Sequence, residues 1–359
     1  MNIKFSAPNC FKKNKILSWG LLGFLFSSTC CASLYDAELA KKIDTIEKKT
    51  NTIMGISAIY IEQGKTVEHN SDKPFFMAST IKLPIAVAFL HRVDEKKDSL
   101  NRVVQLDTNN SVPGSGTLYH LFEKKSIKIS MQQILKYTLM NSDNSASDTL
   151  LQAVNGPQYV MKRMNALGFK NILINRSILE MFLDTNHVDH SYLKNRRPVF
   201  TLAKAFNNSP VEQKTLAWQR FQNDIRDTTT PGEMAKLLVK IYKNQALSAA
   251  STKVLLNIME QCRTGRSRIK GLLPANVKVA HKTGTWAIYE QKYLRYPGSK
   301  KLYRFASDVG IITLPHNKGH IAIAVYVKSQ AVNDYARARA IALVSRAVYD
   351  HFMKSKDLA

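Results

Sequence analysis

The chain has 359 residues, 45% of them apolar and 22% charged, with 15 glycines and 11 prolines. This length is enough for one large domain or two closely packed ones, and the ordinary composition excludes fibrous and disordered proteins. The formal net charge of +25 is scattered in short clusters along the chain, whereas a nucleic-acid-binding protein would concentrate it on one element. We therefore expect no nucleic-acid partner and a basic surface that attracts anionic small molecules.

The first 32 residues have the layout of a secretory signal peptide. Four lysines and no acidic residue accompany an apolar run at 16–26, and small residues precede a cleavage site after Ala32. There are two alternatives: the apolar run forms a buried helix, or the chain carries a lipid anchor at Cys30 or Cys31. We expect cleavage and a catalytic chain of residues 33–359, periplasmic or secreted. Removal of the four lysines leaves a charge of +21, and the mature chain has no apolar run long enough to span a membrane.

The cysteines and histidines indicate neither a disulfide framework nor a metal site. Cleavage after Ala32 would leave Cys262 as the single cysteine, so an internal disulfide could not form. His187 and His190 are three residues apart, but no third ligand is evident, and a surface loop explains them. We expect no metal and no cofactor.

Hydrophobic periodicity and turn residues divide the chain into elements. A helix at 35–50 leads into two strands, and a further helix runs from about Ser79 to Arg92. A mainly helical region follows to about residue 258, where strands resume. The strands are predicted at 53–61, 65–68, 276–283, 307–314 and 320–328, and a final helix at 332–354. Strands at both ends imply a sheet lobe (33–78 and 259–359) beside a helical lobe (79–258).

Ser79 and Lys82 form a Ser-x-x-Lys tetrad at the start of a predicted helix. Side chains three residues apart lie on one helical face, so the amine can approach the hydroxyl. A serine needs an adjacent base, and a lysine serves if burial lowers its pKa. Two other tetrads begin at Ser191 and Ser267, but only Ser79 has apolar residues on both sides, which would partly desolvate the amine.

Two further motifs that could take part in such chemistry follow along the chain. Ser142, Asp143 and Asn144 lie between two amphipathic helices, where a hydroxyl could shuttle a proton and an amide could orient a carbonyl. The alternative is a helix N-cap. Lys282, Thr283 and Gly284 end a predicted strand, where a cation, a hydroxyl and close backbone approach suit an anionic substrate. The alternative is a strand that ends in a turn.

The three motifs together resemble those of class A serine β-lactamases and penicillin-binding proteins. The resemblance to the class A family covers nearly all of residues 35–352. Several shorter stretches also fit it, at 113–116, 175–176, 227–231, 273–274 and 307–314. It implies an α+β fold with three layers (α/β/α), in which an antiparallel sheet from both termini is flanked by helices, plus an all-helical lobe.

The resemblance also implies roles for the motif residues. Ser79 would attack the lactam carbonyl with help from Lys82, and Ser142 would pass a proton to the lactam nitrogen. The backbone N–H groups of Ser79 and Thr285 would form the oxyanion hole. Asn144 would orient the substrate. The substrate carboxylate would be bound by Lys282, Thr283 and Thr285, and by Arg268 through two parallel hydrogen bonds. Gly284 would let the substrate approach the backbone closely.

The Ω-loop, which in the family borders the substrate cleft, departs here from the family pattern. Arg176 and Asp227 match the ion pair at the neck of the Ω-loop, but the segment 176–227 is far longer than an ordinary Ω-loop of roughly 6–16 residues, so we predict an insertion with a helix at 202–206 or 211–222. The family places its deacylating Glu where this chain has Ile178. We predict that Glu180 takes that role, with Asp184 replacing an Asn beside it. The alternative is an ordinary loop carboxylate.

These residues leave several functions open. The first is β-lactam hydrolysis through a Ser79 acyl-enzyme, which confers antibiotic resistance, by a monomer acting on a small-molecule β-lactam. The second is a penicillin-binding protein, D-alanyl-D-alanine peptidase-like or a sensor, that acylates but deacylates slowly. A non-lactam serine hydrolase or amidase is a third. A fourth, from another class, is an envelope protein that binds an anionic polymer.

Overall fold

The computed structural model describes residues 30–122, 125–194, 199–287 and 296–354. Residues 1–29 of the predicted signal peptide lie outside this range, and the predicted cleavage site falls in the first turn of the first helix. Across the part of the chain that is described, no helix combines the length and the apolar character needed to cross a bilayer.

The helices and strands have the following bounds. The strands are β1 (Ile53–Tyr60), β2 (Lys65–His69), β3 (Phe75–Phe76), β4 (Val103–Leu106), β5 (Ile127–Ser130), β6 (Thr228–Thr229), β7 (Val279–Trp286), β8 (Arg304–Thr313) and β9 (His320–Ser329). The helices are α1 (Cys30–Thr50), α2 (Lys82–Asp94), α3 (Tyr119–Phe122), α4 (Met131–Met140), α5 (Asn144–Ala153), α6 (Pro157–Ala166), α7 (Ile178–Asn186), α8 (Ser191–Lys194), α9 (Val199–Asn208), α10 (Val211–Phe221), α11 (Pro231–Tyr242), α12 (Ala249–Glu260) and α13 (Tyr335–Lys354).

The main sheet is drawn from both ends of the chain. Its five strands are ordered β2-β1-β9-β8-β7 and every neighbouring pair is antiparallel. The predicted α+β fold is therefore confirmed. Two short pairs, β3 with β6 and β4 with β5, lie outside this sheet.

Helices cover both faces of the sheet. On one face Ile43 of α1 and Ile341 of α13 share a buried apolar cluster with Ile56 of β1 and Ile323 of β9. On the other face lies α11, which packs against β1 and β9. Because both faces are covered, β1 is buried along almost its whole length. The sequence assigns α11 to the helical lobe, but this helix packs on the sheet.

The helices α7 to α10 lie in the segment between Arg176 and Asp227, and α9 and α10 are in its later part. The sequence predicts one helix here and gives two alternative positions, and the structure has a helix at each. α10 packs against α7, and Trp218 and Phe221 of α10 are buried in the main core. Residues 176–227 are thus packed onto the rest of the protein through the aromatic face of α10.

Candidate active site

Ser79 lies in a 3₁₀ turn (Ala78–Ile81) that leads directly into α2. In a 3₁₀ helix, side chains at i and i+3 eclipse, so Ser79 and Lys82 share one face. Ala78 has a positive φ of 47°, which is uncommon for a residue with a Cβ and is found at functional sites. Ser79 is half-buried, while its neighbours Ala78 and Thr80 are buried. The hydroxyl of Ser79 is thus presented at the surface of an otherwise buried turn.

Lys82 is fully buried and its ammonium group is surrounded by acceptors. Nζ donates to the Ser142 carbonyl at 2.6 Å, to Ser142 Oγ at 3.2 Å and to Asn144 Oδ1 at 2.7 Å. Burial, and then the charge of Lys282, lower the pKa of Lys82 well below its usual value, while Asp143 and Asp148 oppose the shift. The amine can therefore exist in the neutral form, which accepts a proton.

Ser142 connects the two lysines of the site. Its Oγ accepts from Lys82 Nζ at 3.2 Å and from Lys282 Nζ at 2.9 Å, which leaves the hydroxyl proton of Ser142 for a third partner. Ser142 has a φ of 57°, a second strained residue at this site. Burial lowers the pKa of Lys282 to about 8, although Cys262 and Asp308 act in the opposite direction.

The capping alternative applies to Asp143 and not to its neighbours. Asp143 is the N-cap of α5 and its Oδ1 accepts from the Ala146 N–H at 2.9 Å. Asn144 opens α5; its Oδ1 accepts from Lys82 and its Nδ2 donates to the Pro113 carbonyl at 2.7 Å. The amide of Asn144 therefore holds Lys82 and the segment at Pro113 in place.

Lys282, Thr283, Gly284 and Thr285 lie within β7, which continues to Trp286 and does not end at the motif. The strand approaches the 3₁₀ turn so closely that a Cβ on Gly284 would lie 3.0 Å from Ser79 N and 2.6 Å from the Met77 carbonyl. Glycine is therefore needed at this position. The close approach brings the backbone of β7 beside the backbone N–H of Ser79.

Arg268 lies against β7 and β8 and is buried. Nη1 donates to the Gly284 carbonyl at 2.7 Å and to the Ser307 carbonyl at 2.9 Å, and Nη2 donates to Thr285 Oγ1. The sequence predicts that Arg268 binds the substrate carboxylate directly. In the structure its described bonds join the strands and orient the Thr285 hydroxyl, so its geometry is that of a positioning residue.

Arg176 and Asp227 form a buried ion pair that joins the two ends of the segment 176–227. Nε of Arg176 is 2.6 Å from Asp227 Oδ2, and the side chains are 4% and 0% exposed. Asp227 Oδ1 also accepts from the backbone N–H groups of Asn175 and Arg176. Asp184, which the sequence places beside Glu180, instead binds Arg176 Nη1 and His190 Nε2.

The carboxylate of Glu180 is used at the start of α7. Oε2 accepts from the Ser177 N–H at 2.6 Å, while Ser177 Oγ accepts from the Glu180 N–H at 3.1 Å. This reciprocal pair is a capping box. The structure therefore gives Glu180 a local structural role, and its half-buried side chain has no described hydrogen bond to Ser79 or Lys82. The signal for this capping box, Ser-x-x-Glu, is present in the sequence.

Sequence reasoning missed Asp148, a buried carboxylate beside the site. Oδ1 accepts from the Ile178 N–H at 2.8 Å and Oδ2 from the Leu179 N–H at 3.0 Å, at the positive end of α7. Burial raises the pKa of Asp148 to about 6, although these two donors and Lys82 lower it. The spacing could have indicated it, because Asp148 follows Asn144 by four residues on the same face of α5.

Among the described residues, one group has metal-ligand spacing: Asp44, Glu47 and His69. It lies on α1 and β2, apart from the site residues in sequence. Glu47 already accepts from the Met54 N–H and pairs with His69, so these contacts account for its carboxylate without a metal ion.

Comparisons with known proteins agree with this geometry. A model of the β-lactamase enzyme family matches residues 38–352. The VEB-1 β-lactamase of Pseudomonas aeruginosa is 27% identical over 331 residues, which cover 92% of this chain and 95% of that protein. The solved structure of the TLA-3 extended-spectrum β-lactamase is 28% identical with a TM-score of 0.71, covering 89% of this chain and 100% of that one.

An ancestral class A β-lactamase of known structure is 25% identical with a TM-score of 0.67, and the match covers 87% of this chain and 99% of that one. The family model spans most of the sequence, and these proteins are matched over almost their full length. The chain therefore belongs to the β-lactamase enzyme family, among its class A members.

Proposed function

We propose that this protein hydrolyses β-lactams through an acyl-enzyme on Ser79. One observation carries the proposal: two buried lysines, Lys82 and Lys282, converge on the Ser142 hydroxyl beside the turn that holds Ser79. Such an arrangement supplies a neutral amine and a proton donor next to a nucleophile, which acyl transfer to a serine requires.

Acylation begins with neutral Lys82, which accepts the Ser79 proton as Oγ attacks the lactam carbonyl. The C–O bond forms and the carbonyl oxygen becomes an oxyanion. The backbone N–H groups of Ser79 and Thr285 stabilise that oxyanion. The absence of a Cβ at Gly284 supports this pairing, because it allows β7 to lie against the Ser79 backbone.

Ring opening needs a proton on the lactam nitrogen, and we assign that transfer to Ser142. Its Oγ accepts from both lysines, so its own proton is free to move to the nitrogen as the C–N bond breaks. Lys82, protonated in the preceding step, can then return a proton to Ser142 Oγ. The substrate carboxylate would bind at Lys282, Thr283 and Thr285, with Arg268 orienting Thr285.

Release of the acyl group needs a water and a base, and we retain Glu180 as the candidate. Its carboxylate is engaged in the capping box with Ser177, and the position that a Glu occupies in the family holds Ile178. This observation favours a second function, a penicillin-binding protein or sensor in which the adduct is long-lived.

Turnover distinguishes these two functions. A chromogenic cephalosporin should be hydrolysed many times per enzyme molecule, and intact-mass spectrometry should show a transient adduct on Ser79. A single stoichiometric burst with a persistent adduct would support the second function. No adduct on Ser79 with any β-lactam would contradict both.

We also propose that the protein acts as a periplasmic or secreted monomer that protects its host from β-lactam antibiotics, and that residues 176–227 form an extended Ω-loop. The buried Arg176–Asp227 pair, which joins the two ends of that segment, supports the loop assignment. Gel filtration of the purified protein and its recovery in a periplasmic or culture-medium fraction test the first two statements.

A further inference from the structure

Three buried residues with acid–base chemistry cluster beside β7, outside the roles given above. Cys262 follows α12, His281 lies on β7 and Asp308 on β8, with exposed fractions of 8%, 0% and 0%. His281 Nδ1 is 2.9 Å from Asp308 Oδ1, and Asp308 Oδ2 also accepts from the Ile269 N–H. Cys262 is a free cysteine. The three side chains thus place a thiol, an imidazole and a carboxylate together.

The imidazole connects the carboxylate to the thiol. His281 Nδ1 bonds to Asp308, and the Cys262 sulfur is close enough to the imidazole for each group to shift the pKa of the other. Nδ1 is bound to Asp308, and Nε2 has no regular hydrogen bond to any group in the described part of the chain. Nε2 is therefore the ring nitrogen that remains for the sulfur.

A chain of hydroxyl groups leads from this cluster to the substrate site. Cys262 Sγ is 3.3 Å from Thr264 Oγ1, and Thr264 Oγ1 is 2.6 Å from Thr283 Oγ1. Thr283 belongs to the motif to which the substrate carboxylate is assigned. Only one hydrogen can lie between each pair of atoms, so the directions of the two hydrogen bonds are linked.

The charges facing the sulfur come from each neighbouring element. His281 and Lys282 face it from β7, and Asp308 of β8 and Arg268 belong to the same network. Burial raises the pKa of the Cys262 thiol, but His281, Lys282 and Thr264 outweigh burial and lower it to about 6. Burial lowers the pKa of His281, but Asp308 and Cys262 raise it to about 9.

We propose that Cys262, held by His281 and Asp308, is a positioning residue whose ionisation sets the direction of the Cys262–Thr264–Thr283 hydrogen-bond chain and thereby the affinity for the substrate carboxylate. The inference rests on the proposed function, because it takes Thr283 as part of that carboxylate site.

The thiolate and the thiol orient the chain in opposite directions. A thiolate only accepts, so Thr264 donates to sulfur and Thr283 donates to Thr264; the lone pairs of Thr283 then face the substrate. A thiol can donate instead, to Thr264 Oγ1 or to the Thr264 carbonyl at 3.8 Å. Thr264 is then free to donate to Thr283, whose own hydrogen becomes available to a carboxylate.

The test is the pH dependence of KM for a β-lactam that bears a carboxylate. In the wild type, KM should rise roughly tenfold from about pH 5 to about pH 7, because one hydrogen bond to a charged group is lost. KM should rise again above about pH 8 as Lys282 loses its proton. The change near pH 6 (the lower step) should be much smaller in kcat than in KM. The reason is that the Cys262–Thr264–Thr283 hydrogen-bond chain, here called the relay, acts on substrate binding.

Two variants separate the relay from general structure. Cys262→Ser keeps a hydroxyl donor that does not ionise, so the lower KM step should vanish. The rise of KM above about pH 8 (the upper step) should move to lower pH. In this variant the Cys262 thiolate, which raises the pKa of Lys282, is absent. Thr264→Val cuts the chain but keeps the thiol, so it should lose the lower KM step while the thiolate still forms.

Thiolate formation is measured separately by the ultraviolet absorbance of the protein as pH is raised, with Cys262→Ser as the blank. A step near pH 6 in the wild type and in Thr264→Val supports the relay. Absence of that step, or a lower KM step that persists in either variant, would overturn it. Failure of Ser79 to form any β-lactam adduct would contradict the proposed function instead, and the thiolate titration does not depend on that reaction.

Discussion

Lys82 and Asn144 bind each other across the candidate site, with Nζ 2.7 Å from Oδ1. Asn144 is fixed in turn by its bond to the Pro113 carbonyl, so the amine of Lys82 has a defined position on the first turn of α2. Because burial disfavours its charged form, this amine fits the role of base that we propose for it at Ser79.

Lys82→Ala should slow acylation of Ser79 by about 10²–10⁴-fold, which is the usual contribution of a general base. Lys82→Arg is the matched control, because a guanidinium keeps the charge but does not release its proton at accessible pH. Both variants should be equally slow when the adduct is followed by rapid-quench mass spectrometry. Near-normal acylation by Lys82→Arg would exclude proton transfer to this residue.

Glu180→Ala tests whether this carboxylate serves deacylation or only the helix start. Loss of a capping interaction costs about 1 kcal/mol, and loss of a deacylating base would in addition make the Ser79 adduct long-lived. Ser177→Ala removes the reciprocal half of the same capping box and should cost a similar amount of stability. Equal adduct lifetimes in the two variants would mean that Glu180 acts only as a cap.

Removing one partner of the Arg176–Asp227 pair should destabilise the protein strongly, because both side chains are buried. Arg176→Ala leaves the Asp227 carboxylate buried without its guanidinium partner, which costs about 3–5 kcal/mol. Arg226→Ala breaks an ion pair with Asp224 in which Arg226 is 50% exposed, and such pairs contribute about 0–1 kcal/mol. Urea unfolding of both variants measures the difference; comparable losses of stability would contradict the assignment.

Asp148 should make stability depend on pH in the acidic range. Its folded-state pKa of about 6 lies above the ordinary value of 3.8, so the folded chain binds this proton more tightly than the unfolded chain does. The resulting stabilisation is complete below the unfolded pKa and is lost as pH rises through about 6. The Tm of the wild type minus that of Asp148→Asn should therefore fall between pH values of about 4 and 6. A difference that does not change with pH would show that Asp148 is ionised throughout this range.

Much of the sheet could be predicted because β-branched residues and alternation mark its strands. The bounds of β7 could not. The sequence ends this strand near Gly284, yet it continues because Thr285 and Trp286 pair with Ala306 and Phe305 of β8. Pairing with a neighbouring strand outweighs the local preference of glycine for turns.

The residues around the candidate site also form two groups: those that a short motif identifies and those that only the fold brings together. Ser79, Ser142 and Lys282 are identifiable because each lies in a short motif. Cys262, His281 and Asp308 are not, because pairing of β7 with β8 brings His281 near Asp308, and packing of α12 on β7 brings in Cys262. The capping contact of Glu180 could also have been predicted, since the Ser-x-x-Glu signal that begins at Ser177 is present in the sequence.

The position of β1 between β2 and β9 determines when the molecule can assemble. The Tyr60 hydroxyl donates to the Lys318 carbonyl across 258 residues of chain, and β1 pairs with β9 along its whole length. Until β8 and β9 have been synthesised, one edge of β1 has no partner strand, and the helices lack a complete sheet on which to pack. Contacts of such long range form late and slowly, so the main sheet can be completed only after synthesis has reached its last strands.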